Sequence, residues 1–304
     1  MTRSAAPSAA TLPFERLSEP RWRARQDAHK RRLEPFLSVH MERRSRRIKD
    51  PVADFLFEYY AFRPTRLLRW SPGVGVVLEG QRADDFLKRK GFSSTSEGVW
   101  LDPAAFPPRR RQGARWIHEL LVQTQAREPF LGCAGMHEWA MVYRADEVRH
   151  DQIPLRVSDE EVARFVESRP IRCSHFDAFR FFTPAARPLN HLQPAADTMP
   201  ALEQPGCIHV NMDIYRWAFK LHPWVPSELL ADAFDLARDA RTIDMRASPY
   251  DLRDAGLEPL RVETVEGRAE YQRHQREIHL RGLPIRARLI AACERLIDAL
   301  EATA

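Results

Sequence analysis

One stretch limits the architecture more than any other. Between Cys207 and His222, the residues Ile208, Val210, Met212, Ile214, Tyr215, Trp217, Phe219 and Leu221 put apolar side chains on nearly every side of a helix. A helix that is apolar all round belongs in a protein interior. The exceptions fall in line: His209, Asp213, Arg216 and Lys220, at i, i+4, i+7 and i+11, share one face. A polar stripe on a buried helix either points into a polar pocket or closes on itself through an Asp213–Arg216 or Asp213–Lys220 pair.

A helix buried on all sides needs others around it, and the pattern supplies them. Helices are predicted at about 108–126, 136–145, 159–168, 227–245, 266–280 and 284–302, with a charged N-terminal helix in two pieces around Pro35. Asp50-Pro51 is a start signal, and Val52, Phe55, Leu56, Tyr59 and Tyr60 follow at core-facing spacing. Residues 71–106 differ. Val74, Val76, Val77 and Leu78 lie between glycines, and Val99, Trp100 and Leu101 follow a Ser/Thr stretch, which predicts short strands. Pro72-Gly-Val-Gly75 has the look of a helix-hairpin-helix turn, but a strand follows where that motif needs a helix. Five prolines between 183 and 206 predict an ordered loop or lid. The expected fold is mainly α with a small β element: residues 1–17 a disordered tail, and 18–304 a single globular helix-rich domain with a β-containing insertion near 71–106.

With 44% hydrophobic and 29% charged residues, the chain is too apolar for wholesale disorder. No apolar run approaches the ~20 residues of a membrane helix, and the first twelve residues lack the apolar core of a secretion signal. Four cysteines without a CxxC pair point to reduced thiols and a cytoplasmic protein. Charge is uneven. Residues 1–50 carry 13 Lys/Arg against 6 Asp/Glu, and a second basic run holds Arg109, Arg110, Arg111 and Arg115. Such clusters attract phosphates, or are solvated faces. Glu228, Asp232, Asp235 and Asp239 make an acidic stripe that reads as a solvated helix face.

Three segments place Cys, His and carboxylate among large apolar residues: 132–143 with Cys133, His137 and Glu138; 172–182 with Cys173, His175 and Asp177; and 206–217 with Cys207, His209 and Asp213. Buried charges are costly unless paired, so these groups satisfy one another in a core or form a site. His137 and Glu138 are ~100° apart on a helix, so only one need enter it. His175 and Asp177 share a face on a strand and diverge on a helix. Asp177 lies among phenylalanines, where its pKa is raised unless Arg172 or Arg180 pairs with it. A poised carboxylate among aromatics suits activation of water, or hydrolysis of a flipped, stacked base. An Asp177–Arg180 bridge in the core is the plain alternative. Arg246, Ser248, Tyr250 and Asp251 form a polar turn that binds a ligand or caps a helix. No tight metal-ligand spacing is present, so no metal ligand or cofactor is assigned.

The strings His137-Glu-Trp-Ala-Met-Val-Tyr143, Cys173-Ser-His-Phe-Asp-Ala-Phe-Arg-Phe-Phe-Thr-Pro184, Gln204-Pro-Gly-Cys207, Asp244-Met-Arg-Ala-Ser-Pro-Tyr-Asp-Leu252 and Phe55-Leu-Phe-Glu-Tyr-Tyr60 resemble a bacterial family usually labelled 3-methyladenine DNA glycosylase. The likeness spans roughly residues 20 to 300. The chain has neither a full helix-hairpin-helix, nor HEAT-like repeats, nor the mixed β fold of the animal alkyladenine enzyme. The resemblance implies hydrolysis of the N-glycosidic bond of an alkylated purine in DNA. Asp177 would then activate water or stabilise the sugar cation, with Asp213 in reserve and Glu138, His175 and His209 as further catalytic candidates. Trp139, Phe179, Phe181 and Tyr215 would stack on the base, and Arg180, Arg246 and Tyr250 would contact the substrate. Arg109, Arg110, Arg111, Arg115 and the basic N-terminal arm would hold phosphates. DNA is the expected partner, and no membrane is. Two other readings stay open: a metal-dependent enzyme acting on a small molecule through His137, His175, His209 and Asp213, and a nucleic-acid-binding protein without catalysis.

Overall fold

In the computed structural model, which describes residues 15–146 and 152–303, the apolar stretch is a central helix with others packed around it. The elements run β1 (Glu15–Leu17), α1 (Glu19–Ser45), α2 (Phe55–Glu58), α3 (Pro64–Leu67), β2 (Val76–Leu78), β3 (Phe92–Thr95), β4 (Gly98–Leu101), α4 (Arg111–Gln125), α5 (Met136–Ala140), α6 (Asp159–Glu167), α7 (Phe176–Phe179), α8 (Met199–Leu202), α9 (Ile208–Leu221), α10 (Ser227–Ala247) and α11 (Val265–Glu301), with short 3-10 turns between. α9 packs on α10 and α11, α4 covers α11, and α1 lies across α10. The fold is mainly α, with one small sheet. Among the described residues no helix is long and apolar enough to cross a membrane, and all four cysteines are free thiols.

The sheet has the order β1-β2-β4-β3. Within 71–106, where short strands are predicted, β3 and β4 form an antiparallel hairpin, with Phe92 opposite Leu101 and Thr95 opposite Gly98. β1 was not expected. Of the predicted tail, residues 1–14 lie outside the described residues. Glu15–Leu17, however, pair in parallel with Val76–Leu78 and bury Leu17 in the core.

Two helices continue where proline predicts a break. α1 runs through Pro35, and α11 runs from 265 to 301 through Pro284. Both prolines are exposed, so the hydrogen bond each removes lies on a face open to water, where the orphan carbonyl is solvated. Conversely, the helix announced by Asp50-Pro51 starts late. The Asp50 carboxylate accepts the amides of Val52 and Ala53, which holds a turn, and α2 begins at Phe55.

The acidic stripe of α10 is a seam rather than a solvated face. Arg25 and Arg32 of α1 bind Glu228, Asp232 and Asp235, while Arg281 and Arg288 of α11 bind Asp239 and Asp232. Part of the basic N-terminal arm is thereby spent inside the molecule. Close approach of α11 to α9 depends on Gly282: a Cβ there would lie 2.1 Å from Asn211 Oδ1, the atom that accepts Arg286 Nη2 at 2.8 Å.

Candidate functional site

The polar stripe of α9 runs from the core to the surface: His209 and Asp213 are buried, Arg216 is half-buried and Lys220 is exposed. The three Cys/His/carboxylate segments converge on its inner end. The ring centroids of His137 and His209 are 4.4 Å apart, and those of His175 and His209 are 5.2 Å apart. Cys133, Cys173 and Cys207 meet on the far side of His137, lining a second, smaller cavity.

The first segment enters through a left-handed pair, Ala134 and Gly135, where a Cβ on Gly135 would meet Ala247 Cβ at 3.1 Å. From the short helix α5 that follows, both His137 and Glu138 enter the site, not one of them. Their partners, Arg241 and Asp244, sit three residues apart on α10 and so meet both directions. His137 Nε2 donates to Asp244 Oδ1 at 2.6 Å. Arg241 Nη1 bridges Glu138 Oε1 at 3.2 Å and Asp244 Oδ2 at 3.0 Å, and its guanidinium lies 3.9 Å from the Phe55 ring. Burial and the Asp244 charge raise the Glu138 pKa against the pull of Arg241 and His137. Asp244 is also fully buried, but the charges of His137, His209 and Arg241 and the His137 hydrogen bond outweigh that burial and hold it well below the usual carboxylate range. The two carboxyl groups are thus pushed in opposite directions, Glu138 upward and Asp244 downward.

The second segment repeats the arrangement. His175 caps α7: its Nδ1 accepts the Ala178 amide at 3.2 Å, which leaves Nε2–H to donate to Asp213 Oδ2 at 3.3 Å. Asp213 also accepts Tyr60 Oη–H at 2.7 Å and Arg216 Nη1 at 3.0 Å. It stays ionised despite burial because of His175, Arg216 and Tyr60. Its counterpart is Glu203, from the proline-rich loop. Burial pushes this carboxyl up to about 7, and its Oε1 has no hydrogen-bond partner among the described residues. Asp177 is held on both sides, by Arg180 Nε at 3.0 Å and Arg216 Nη1 at 2.5 Å, so the Asp177–Arg180 bridge is real but sits at a pocket wall.

That pocket is lined by Glu138, His175, Asp177, His209, Arg241 and Tyr250, with Phe55, Tyr59 and Phe181 at its mouth. Phe55 and Tyr59 stack at 4.8 Å, and Arg180 covers Phe181 at 4.4 Å. The enclosed volume is about 30 Å³, which is room for a water or an ion. Several expected residues are not there. Trp139 is core, its Nε1–H on the Ala247 carbonyl and its ring on Phe165. Phe179 packs on Phe182, and Tyr215 is buried among Phe62, Phe219 and Phe234. Arg246 points away, to the Glu258 carbonyl. Arg241, Asp244, Glu203, Tyr59 and Tyr60 were not among the expected site residues. The nearest signal was Arg241 and Asp244 one turn apart among Ala240, Ile243 and Met245.

Tyr60 also lines a larger groove of about 580 Å³, walled by Arg63, Arg66, Arg109, Arg110, Lys220 and the rings of Trp116 and Trp217. A further groove shares Arg66 and Arg110 with it and adds Arg69, Lys88, Arg89 and Lys90. Among the described residues no carboxylate lines either one. Burial, then the nearby Arg69 and Arg63, lower the Arg66 pKa; burial, then Arg66 and Arg109, lower that of Arg110. Among the described residues Arg66 and Arg110 have no acidic partner, whereas Lys88 pairs with Asp85 at 2.7 Å. Of the four expected phosphate contacts, Arg109 and Arg110 line the groove. Arg111 is half-buried outside it, and Arg115 pairs with Glu301. No family model, curated protein or solved structure matches the chain.

Proposed function

We propose that the protein removes alkylated purines from DNA by hydrolysing the N-glycosidic bond. One observation carries this reading: a cationic, aromatic groove without a carboxylate in its lining meets a pocket of paired carboxylates and imidazoles at Tyr60. The groove suits a sugar–phosphate backbone, which carries one charge per phosphate and binds through release of counterions. Trp116 and Trp217 suit unstacked bases. The mouth of Phe55, Tyr59 and Phe181 suits a base turned out of the helix. A purine is far larger than the 30 Å³ within, so base entry separates Tyr59 from the Arg180–Phe181 pair. Asp177, released from Arg180 and kept in place by Arg216, then faces the sugar. There it stabilises positive charge as the base leaves and orients the attacking water. An alkylated purine is already cationic, so its departure requires little acid assistance.

The test is release of free methylated base from alkylated duplex DNA, with and without chelator. The wild type is expected to release base. Asp177→Asn is expected to be slower by at least about 100-fold, the scale of a positioned acid–base group. Equal rates in the two would remove Asp177 from the mechanism. The small internal volume favours a second reading, a metal-assisted reaction on a small molecule; absence of base release together with chelator-sensitive turnover of such a substrate would select it.

A further inference from the structure

Five carboxyl groups, Glu138, Asp177, Glu203, Asp213 and Asp244, are buried within this site, against the guanidinium groups of Arg216 and Arg241 inside and Arg180 at the rim. A carboxylate buried in this way is costly unless it is paired or coordinates a cation. His137, Glu138, His209 and Asp244 each bring one ligand atom to within 4.8 Å of the others. Glu138 and His209 face the pocket, while His137 and Asp244 form the wall behind them.

His209 is the informative member. It is 7% exposed, yet its Nδ1 has no hydrogen-bond partner among the described residues. Its Nε2 stands 3.6 Å from Asp244 Oδ2, too far for a hydrogen bond. That separation is close to the ~3.4 Å edge between two ligands of a tetrahedral ion with bonds of about 2.1 Å. A buried imidazole aimed at a carboxylate without bonding to it fits a third body between them. Two imidazoles and one carboxylate, with a water in the fourth place, are a common donor set for catalytic divalent transition metals.

We propose that His137, His209 and Asp244 bind one divalent transition-metal ion, with Glu138 beside its open position. The ion sits between His209 Nε2 and Asp244 Oδ2, and His137 Nε2 turns to it from its 2.6 Å hydrogen bond with Asp244 Oδ1. Arg241 keeps its bond to Asp244 Oδ2 and orients that carboxylate from behind, as an outer-shell partner does. Asp213 and His175, named with His137 and His209 as candidate ligands by the sequence, are left out: they are satisfied by each other and by Tyr60 and Arg216. The ion-binding claim does not rest on DNA being the substrate.

The test is metal uptake by the full-length protein after stripping with chelator and gel filtration. Zn(II) is titrated calorimetrically, and Co(II) by its visible absorption, which reports coordination number. Folding of each variant is checked by circular dichroism and urea denaturation. The expected result is one ion per chain with a four- or five-coordinate Co(II) spectrum. Affinity should fall in both His137→Ala and His209→Ala, by more than the ~10–100-fold that outer-shell changes cost, and be retained in His175→Ala. No stoichiometric uptake by folded wild type would overturn the proposal. Uptake that survives loss of both His137 and His209, or that depends on His175 instead, would overturn it equally.

Discussion

The carboxyl of Glu203 makes the energetics of this site measurable. It is 1% exposed, its Oε1 is unpartnered, and burial pushes it up to about 7 from an ordinary 4.5. Between those two pH values the folded chain holds a proton that the unfolded chain has lost. The stabilising contribution is therefore complete below about 4.5 and is lost as the pH rises through about 7. A gap of about 2.5 pH units, at about 1.4 kcal/mol each, comes to about 3 kcal/mol. Glu203→Gln keeps the shape and cannot ionise. Urea denaturation of wild type and variant near pH 5 and near pH 8 isolates the term, because other titrations are common to both. The variant is expected to gain about 2–3 kcal/mol on the wild type between the two conditions. Parallel pH dependences would refute the reasoning, since Glu203 would then ionise alike in the folded and unfolded chains. A gain on the acid side would mean that the folded protein stabilises its charge.

Two other perturbations test separate parts of the account. Replacing Arg66 and Arg110 with Gln is expected to weaken duplex binding at every sequence and to lower the slope of log K against log salt by about 2, read by fluorescence anisotropy over a salt series; an unchanged slope would move the phosphate contacts elsewhere. Gly282→Ala is expected to destabilise the protein by about 1–3 kcal/mol through overpacking against Asn211, even though alanine is the better helix former, as read by urea denaturation; a stabilised variant would show that α9 and α11 separate without cost.

What the sequence makes legible follows from periodicity. The stripe of His209, Asp213, Arg216 and Lys220 can be read because α9 is apolar elsewhere, so four polar residues on one face stand out. The same logic fails on α10. There Glu228, Asp232, Asp235 and Asp239 resemble a solvated face, because a charge is equally at home in water and against an arginine from a distant helix. Arg241 and Asp244 belong to the site through contacts with α5, more than a hundred residues away in the chain, which no local pattern encodes. Glu203 sits in an irregular loop without periodicity. Aromatic composition marks Trp139, Phe179 and Tyr215 as buried but does not distinguish core from pocket wall. Pro35 and Pro284 mislead for a related reason: whether a proline breaks a helix depends on which face it occupies.

Single-turnover base release from alkylated duplex DNA separates the role of the groove from that of the pocket. At saturating enzyme and low salt, the Arg66/Arg110 variant is expected to release base at close to the wild-type rate, because the groove supplies binding alone. Asp177→Asn, which binds DNA as before, is expected to remain at least about 100-fold slower under the same conditions. Absence of release by wild-type protein that binds alkylated DNA would contradict the account, leaving the groove a binding surface and the pocket with another substrate.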